Sequence, residues 1–181
     1  MIGFLFFLFG VFVTLGMCVL AARSDYKSFK IPNIVPLVII LAFAVSFGVL
    51  SLTGQRDVFF KPIGVHIGAA LLVLMVTGAM FALKQLGAGD SKFATAIALW
   101  VGLQGLAPFL FYMVLTGGVI AGISLSLRKW KPVKDAVEGS WIDAAQKGSG
   151  NVPYGIAIAV GAFVGFLFQG YFSLSRWEQM F

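Results

Sequence analysis

The stretch LGAGDSKF, Leu86–Phe93, decides how the chain is divided, because it is a polar interruption between two long apolar runs. The run before it covers residues 62–83, and the run after it covers residues 93–127. Each run reaches the ~20 residues that an α-helix needs to cross a hydrocarbon core about 30 Å thick. The stretch therefore predicts a short connection between membrane-spanning helices, with one carboxylate, that of Asp90, at the membrane rim.

The composition of the whole chain is typical of a membrane protein. Its 181 residues are 60% hydrophobic and only 11% charged, and the mean hydropathy is +0.98, far above the usage of soluble domains. Further apolar runs cover residues 2–22, 34–53 and 152–174. The sequence predicts an all-α integral membrane protein, organised as a single domain over residues 1–181.

The run 93–127 is too long for one crossing, because a straight helix of that length would extend about 50 Å. Gln104, Gly105 and Pro108 lie near its middle and predict a turn. The run is then divided into spans of roughly 93–107 and 108–127, and the whole chain is predicted to form a bundle of six transmembrane helices.

The basic residues predict the orientation of the bundle. Ten of the 13 Lys and Arg residues lie in the loops after the first, third and fifth spans, and only Arg56, Lys61 and Arg176 lie on the opposite side. Because cytoplasmic loops carry an excess of Lys and Arg, these three loops should face the cytoplasm and both termini should lie outside. The net charge of +6 comes without a nucleic-acid-binding motif, so the expected partner is the lipid bilayer and not a nucleic acid.

Two carboxylates share the predicted cytoplasmic face. Asp25 follows the first span and Asp90 precedes the fourth. Taken alone, Asp90 could cap a helix and Asp25 could be solvated beside Lys27. Taken together, two nearby carboxylates would share one proton, so that one draws a proton from water while the other protonates a substrate carbonyl. This is the chemistry of an aspartic protease, and it requires no cofactor and no metal.

Three segments resemble one known family in their order along the chain. They are SDYKSFKIPN (residues 24–33), GAGDSKF (residues 87–93) and NVPYGIAIAVG (residues 151–161). The first two look like the two signatures of the prepilin peptidases, also called type IV leader peptidases. The resemblance implies that Asp25 and Asp90 are the catalytic pair. The residues expected to bind substrate or shape the site are Gly87, Gly89, Lys92, Pro32 and Asn33.

The chain resembles the short form of this family, which lacks the N-methyltransferase and zinc-binding region and is associated with tight-adherence (Flp-type) pili. That resemblance implies a peptidase whose partner is a pilin-like precursor. It also implies a location in the cytoplasmic (inner) membrane of a bacterium, with the active site facing the cytoplasm. The GxGD proteases of the presenilin type are a more distant match, because they lack the Asp-to-IPN arrangement.

Other functions are also compatible with the residues. Asp25 and Asp90 could serve a small cation or proton transporter, or the chain could be a non-catalytic pilus-assembly protein; the position of both acids at one rim weakens the transporter interpretation. The only histidine, His66, is expected to pack with hydrogen bonds, with a proton relay as the alternative. The absence of HExxH, and a single cysteine, Cys18, predict no metal site.

Overall fold

The chain is entirely helical. A computed structural model describes all 181 residues and contains eight helices and no strand. In chain order the helices are α1 (Ile2–Ser28), α2 (Ile34–Leu52), α3 (Arg56–Phe59), α4 (Ile63–Ala82), α5 (Ala88–Trp130), α6 (Trp141–Gln146), α7 (Tyr154–Phe168) and α8 (Leu174–Glu178). The all-α prediction is therefore confirmed.

Four of these helices, α1, α2, α4 and α5, are long and apolar enough to cross a membrane, and α7 is a shorter apolar helix of 15 residues. Their outward faces carry large apolar side chains that would be unfavourable in water, such as Met75 and Leu125. The chain is a multi-pass membrane protein.

Helix α5 reverses direction at Gly102, where the backbone leaves the helical region with φ +58° and ψ −176°. We call residues 88–101 α5N and residues 103–130 α5C. Ala94 of α5N and Met113 of α5C line the same cavity, although they would lie about 28 Å apart on a straight helix. The two halves therefore lie side by side and antiparallel.

The predicted reversal exists, but the predicted turn residues were wrong. The turn lies at Gly102, whereas Gln104, Gly105 and Pro108 belong to α5C, and Pro108 lies inside that helix without ending it. The conformation at Gly102 is one that essentially only glycine adopts, and the ring of His66 lies 3.2 Å from where a Cβ at this position would be.

The reversal leaves the last carbonyls of α5N without helical partners, as at any helix end. Side chains from elsewhere in the chain replace them, because the carbonyls of residues 99–101 accept hydrogen bonds from His66, Tyr171 and Gln169 respectively. His66 donates through Nδ1, since a carbonyl only accepts, and its Nε2 accepts from the Lys61 N–H at 3.2 Å. The packing role predicted for His66 is confirmed.

Candidate active site

Asp25 and Asp90 lie at the same end of the bundle, opposite the turn at Gly102. Asp25 lies in the last turn of α1 and Asp90 in the first turn of α5N, so both helices continue past their apolar runs. The two carboxyl groups line the same two adjoining cavities, of about 480 and 590 Å³. Because they share both cavities, negative charges on the two groups would repel each other. The fold thus joins residues that are 65 positions apart in the sequence.

Asp25 is held by the first turn of α7. Its side chain is buried, with the residue only 4% exposed, and its Oδ2 accepts a hydrogen bond of 2.7 Å from the backbone N–H of Gly155. A Cβ at Gly155 would lie 2.9 Å from the Cβ of Asp25, which is so close that any side chain there would force Asp25 to shift. Sequence reasoning missed Gly155 as a site residue, and its only signal was its place in the segment NVPYGIAIAVG.

Asp90 is less constrained than Asp25. Its Oδ2 lies over Gly87, 2.7 Å from where a Cβ at that glycine would be. Its Oδ1 is buried and has no hydrogen-bond partner within the protein. A buried carboxyl oxygen without a hydrogen-bond donor favours the protonated form of the group, and the absence of a side chain at Gly87 gives the group its space.

The connection between α1 and α2 forms one wall of the smaller cavity. It turns at Phe29, a left-handed residue (φ 52°) whose N–H bonds to the Asp25 carbonyl at 2.8 Å. Ile31 then passes directly over Gly89, where an added Cβ would lie 3.2 Å from the Ile31 Cβ. The missing side chain at Gly89 therefore makes room for this connection.

The remaining predicted site residues divide into two groups. Pro32 and Asn33 line the smaller cavity together with Gly87 and Gly89. Lys92 does not line either cavity, and its Nζ donates a hydrogen bond of 3.0 Å to the Asn33 Oδ1. Lys92 therefore ties α5N to the connection between α1 and α2 and does not contact the carboxylates.

No group of three or more His, Cys, Asp or Glu side chains is arranged to hold a metal ion. Cys18 is buried within α1. The arrangement that the geometry does provide is a pair of carboxyl groups at a cavity at the end of an apolar bundle, one held by a backbone donor and one with a buried oxygen that has no hydrogen-bond partner.

This fold and site define a class, the multi-pass membrane proteins with a carboxyl pair at one end of the helices. The chain belongs to the type IV leader peptidase family, whose family model matches residues 12–122 and so includes both aspartates. The resemblance to the prepilin peptidase family is confirmed, and the chain is a membrane-embedded protease of that family. No curated protein and no solved structure matches it.

Proposed function

We propose that this protein is an aspartic endopeptidase that removes the leader from type IV pilin precursors of the Flp type, with Asp25 and Asp90 as its catalytic pair. The observation that carries the proposal is that the two carboxyl groups, from distant parts of the chain, face one cavity at one end of the bundle. The domain is the whole chain, residues 1–181.

The surroundings of the two aspartates support different roles for them. The Gly155 N–H stabilises a negative charge on Asp25, so Asp25 is the base that takes a proton from the attacking water. Asp90 has an unpartnered oxygen and is the acid that gives its proton to the carbonyl oxygen of the scissile peptide. The water oxygen bonds to the carbonyl carbon to give a tetrahedral diol. When the C–N bond then breaks, the leaving nitrogen takes the proton held by Asp25, and one hydroxyl of the diol returns a proton to Asp90 as the carbonyl group of the product forms.

The distribution of charge supports a site at the cytoplasmic face of the inner membrane. With six crossings, formed by α1, α2, α4, α5N, α5C and α7, both termini lie on one side of the membrane and the aspartate end lies on the other. The loops at that end contain ten of the 13 Lys and Arg residues, as expected of cytoplasmic loops. A precursor whose basic leader stays in the cytoplasm would have its cleavage site at the membrane face where Asp25 and Asp90 lie.

The test is cleavage of a pilin precursor by the purified protein and by its Asp25→Asn and Asp90→Asn variants. Each variant is expected to lose cleavage by about 10²–10⁴-fold or more, because an amide can replace neither the base nor the acid. Asp57→Asn and Asp135→Asn are the matched controls, since both residues lie outside the cavities, and they should retain wild-type rates. Substantial turnover by either site variant would defeat the assignment, and an inactive wild-type protein would favour a transporter or a non-catalytic assembly protein.

A further inference from the structure

A third cavity, of about 320 Å³, lies within the apolar part of the bundle and is almost wholly hydrophobic. We call it the apolar groove. One wall is formed by α4, with Val76 and Met80, and the other by α5C, with Leu110 and Val114. Ala94 of α5N lines it between the two walls and is buried.

The apolar groove offers few polar atoms, chiefly the side-chain hydroxyls of Thr77 and Tyr154. Eleven of its twelve lining residues are hydrophobic, and the exception is Thr77. The Thr77 hydroxyl donates to the Val73 carbonyl at 2.7 Å and lies 2.8 Å from the Ser91 hydroxyl. Burying a polar group of a ligand here without a hydrogen-bond partner would cost free energy. The groove therefore favours an apolar ligand.

The apolar groove is continuous with the carboxyl pair. Leu86 and Tyr154 line both the groove and the larger of the two aspartate cavities. Tyr154 is the residue before Gly155, which holds Asp25, and its ring lies 3.3 Å from where a Cβ at Gly117 would be. A polypeptide that passes the carboxyl pair therefore has an apolar path into the bundle beside Tyr154.

The length of the groove indicates how much of a polypeptide it would contact. Its lining along α4 extends from Met80 to Leu72, which is about 12 Å, or roughly two turns of helix. Peptide helices in such grooves make contact through side chains spaced three or four residues apart. The groove therefore matches about eight residues of a helix, of which the two or three on one face would contact it.

We propose that the apolar groove binds the first two turns of the hydrophobic segment that follows the scissile bond in the precursor. The assignment rests on the proposed function, because it requires a substrate whose cleavage site is joined to an apolar helix. The groove fixes that helix along α4 and α5C, and the scissile peptide then lies at Leu86 and Tyr154, next to Asp25 and Asp90. The charged leader is excluded from the groove and remains in the aspartate cavities.

The first experiment fills the groove with a larger side chain. Val76→Trp is compared with Val45→Trp, a matched substitution in a second apolar depression between α1 and α2 that does not contain the aspartates. The two valines are similarly exposed, at 55% and 49%. With a type IV pilin precursor that the wild-type enzyme cleaves, Val76→Trp should lower kcat/KM about tenfold or more, chiefly by raising KM, whereas Val45→Trp should stay within about twofold.

Equal effects of the two substitutions, or no effect of either, would overturn the groove assignment while leaving the proposed function intact. Failure of the wild-type enzyme to cleave any precursor would instead defeat the proposed function. The two outcomes are therefore distinguishable, because wild-type cleavage is measured before the variants are compared.

The second experiment does not depend on how well the tryptophan variant folds. Val76→Cys is placed in a Cys18→Ala, Asp90→Asn background, which keeps the precursor uncleaved, and is oxidised with precursors that carry single cysteines along the hydrophobic segment. Disulfides should form at positions three or four residues apart within the first two turns, and Val45→Cys should form none of them. Absence of cross-links, or cross-links without helical spacing, would overturn the proposal.

Discussion

Replacing Gly155 by alanine tests whether the first turn of α7 positions Asp25. The substitution adds one methyl group and removes no hydrogen-bonding group. The methyl carbon would lie 2.9 Å from the Asp25 Cβ, 3.0 Å from its Oδ2 and 3.2 Å from the Ile31 Cδ1. Two of these atoms belong to the base that we propose for the reaction, so the strain falls directly on the catalytic pair.

The size of the effect follows from these distances. Carbon atoms pack at about 3.5–4.0 Å, so Asp25 must move away by about 0.5–1 Å. The hydrogen bond from the Gly155 N–H, now 2.7 Å, would lengthen beyond its favourable range. Because a misplacement of about 1 Å can cost about 10²-fold in rate, we expect kcat to fall by about 10–100-fold, which corresponds to about 1.4–2.7 kcal/mol in the activation free energy.

The assay is steady-state cleavage of a pilin precursor in detergent, with thermal unfolding measured on the same preparations. The unfolding temperature of Gly155→Ala should remain near that of wild type, because alanine favours a helix over glycine by about 1 kcal/mol and this offsets part of the strain. Gly16→Ala and Gly118→Ala are matched controls, since both are helical glycines with open space where the Cβ would lie. Wild-type kcat in Gly155→Ala would refute the reasoning, as would an equal loss in the controls.

Two further predictions concern topology and pH. In a Cys18→Ala background, single cysteines at Ser28 and Val137 should be labelled by a membrane-impermeant reagent only from the cytoplasm, and one at Thr53 only from outside; the reverse pattern would invert the orientation. Cleavage should rise and then fall with pH, because activity needs the base ionised and the acid protonated, and the two limbs, about 2 units or more apart, belong to the pair. A chelator should leave the rate unchanged, whereas a flat rate from about pH 4 to about pH 9, or loss with a chelator and recovery with zinc, would contradict the carboxyl-pair mechanism.

Much of the helical architecture could be predicted from the sequence because membrane spans are set by length and apolar composition alone. The runs predicted at 34–53 and 62–83 match α2, Ile34–Leu52, and α4, Ile63–Ala82, to within one residue at each end. The exact turn in α5 could not be predicted in this way. Glycines at 102 and 105 are equally compatible with a turn as far as local preference goes, and the choice depends on distant side chains that bond to the carbonyls of residues 99–101.

In the candidate site, the acidic side chains could be predicted from the sequence, whereas the backbone donor could not. Asp25 and Asp90 could be selected because carboxylates are rare beside apolar runs and both were predicted to lie on one side. Gly155 could not be selected for its role, because a backbone N–H donor has no residue type that identifies it. The hydrogen bond between Lys92 and Asn33 could not be predicted either. A lysine side chain can adopt many conformations, and the one it adopts depends on the packing of the folded protein.

The surroundings of the carboxyl pair also explain how it can keep one proton. The two ion pairs of the structure, Arg56 with Asp57 and Lys147 with Asp143, involve neither catalytic candidate. A Lys or Arg beside either carboxylate would favour its ionised form and so remove the acid that the reaction needs. Instead, the N-terminal ends of α5 and α7 meet at the pair, and each supplies only about half a positive charge. These partial charges favour a negative charge on the pair, and the repulsion between two ionised carboxylates opposes a second one.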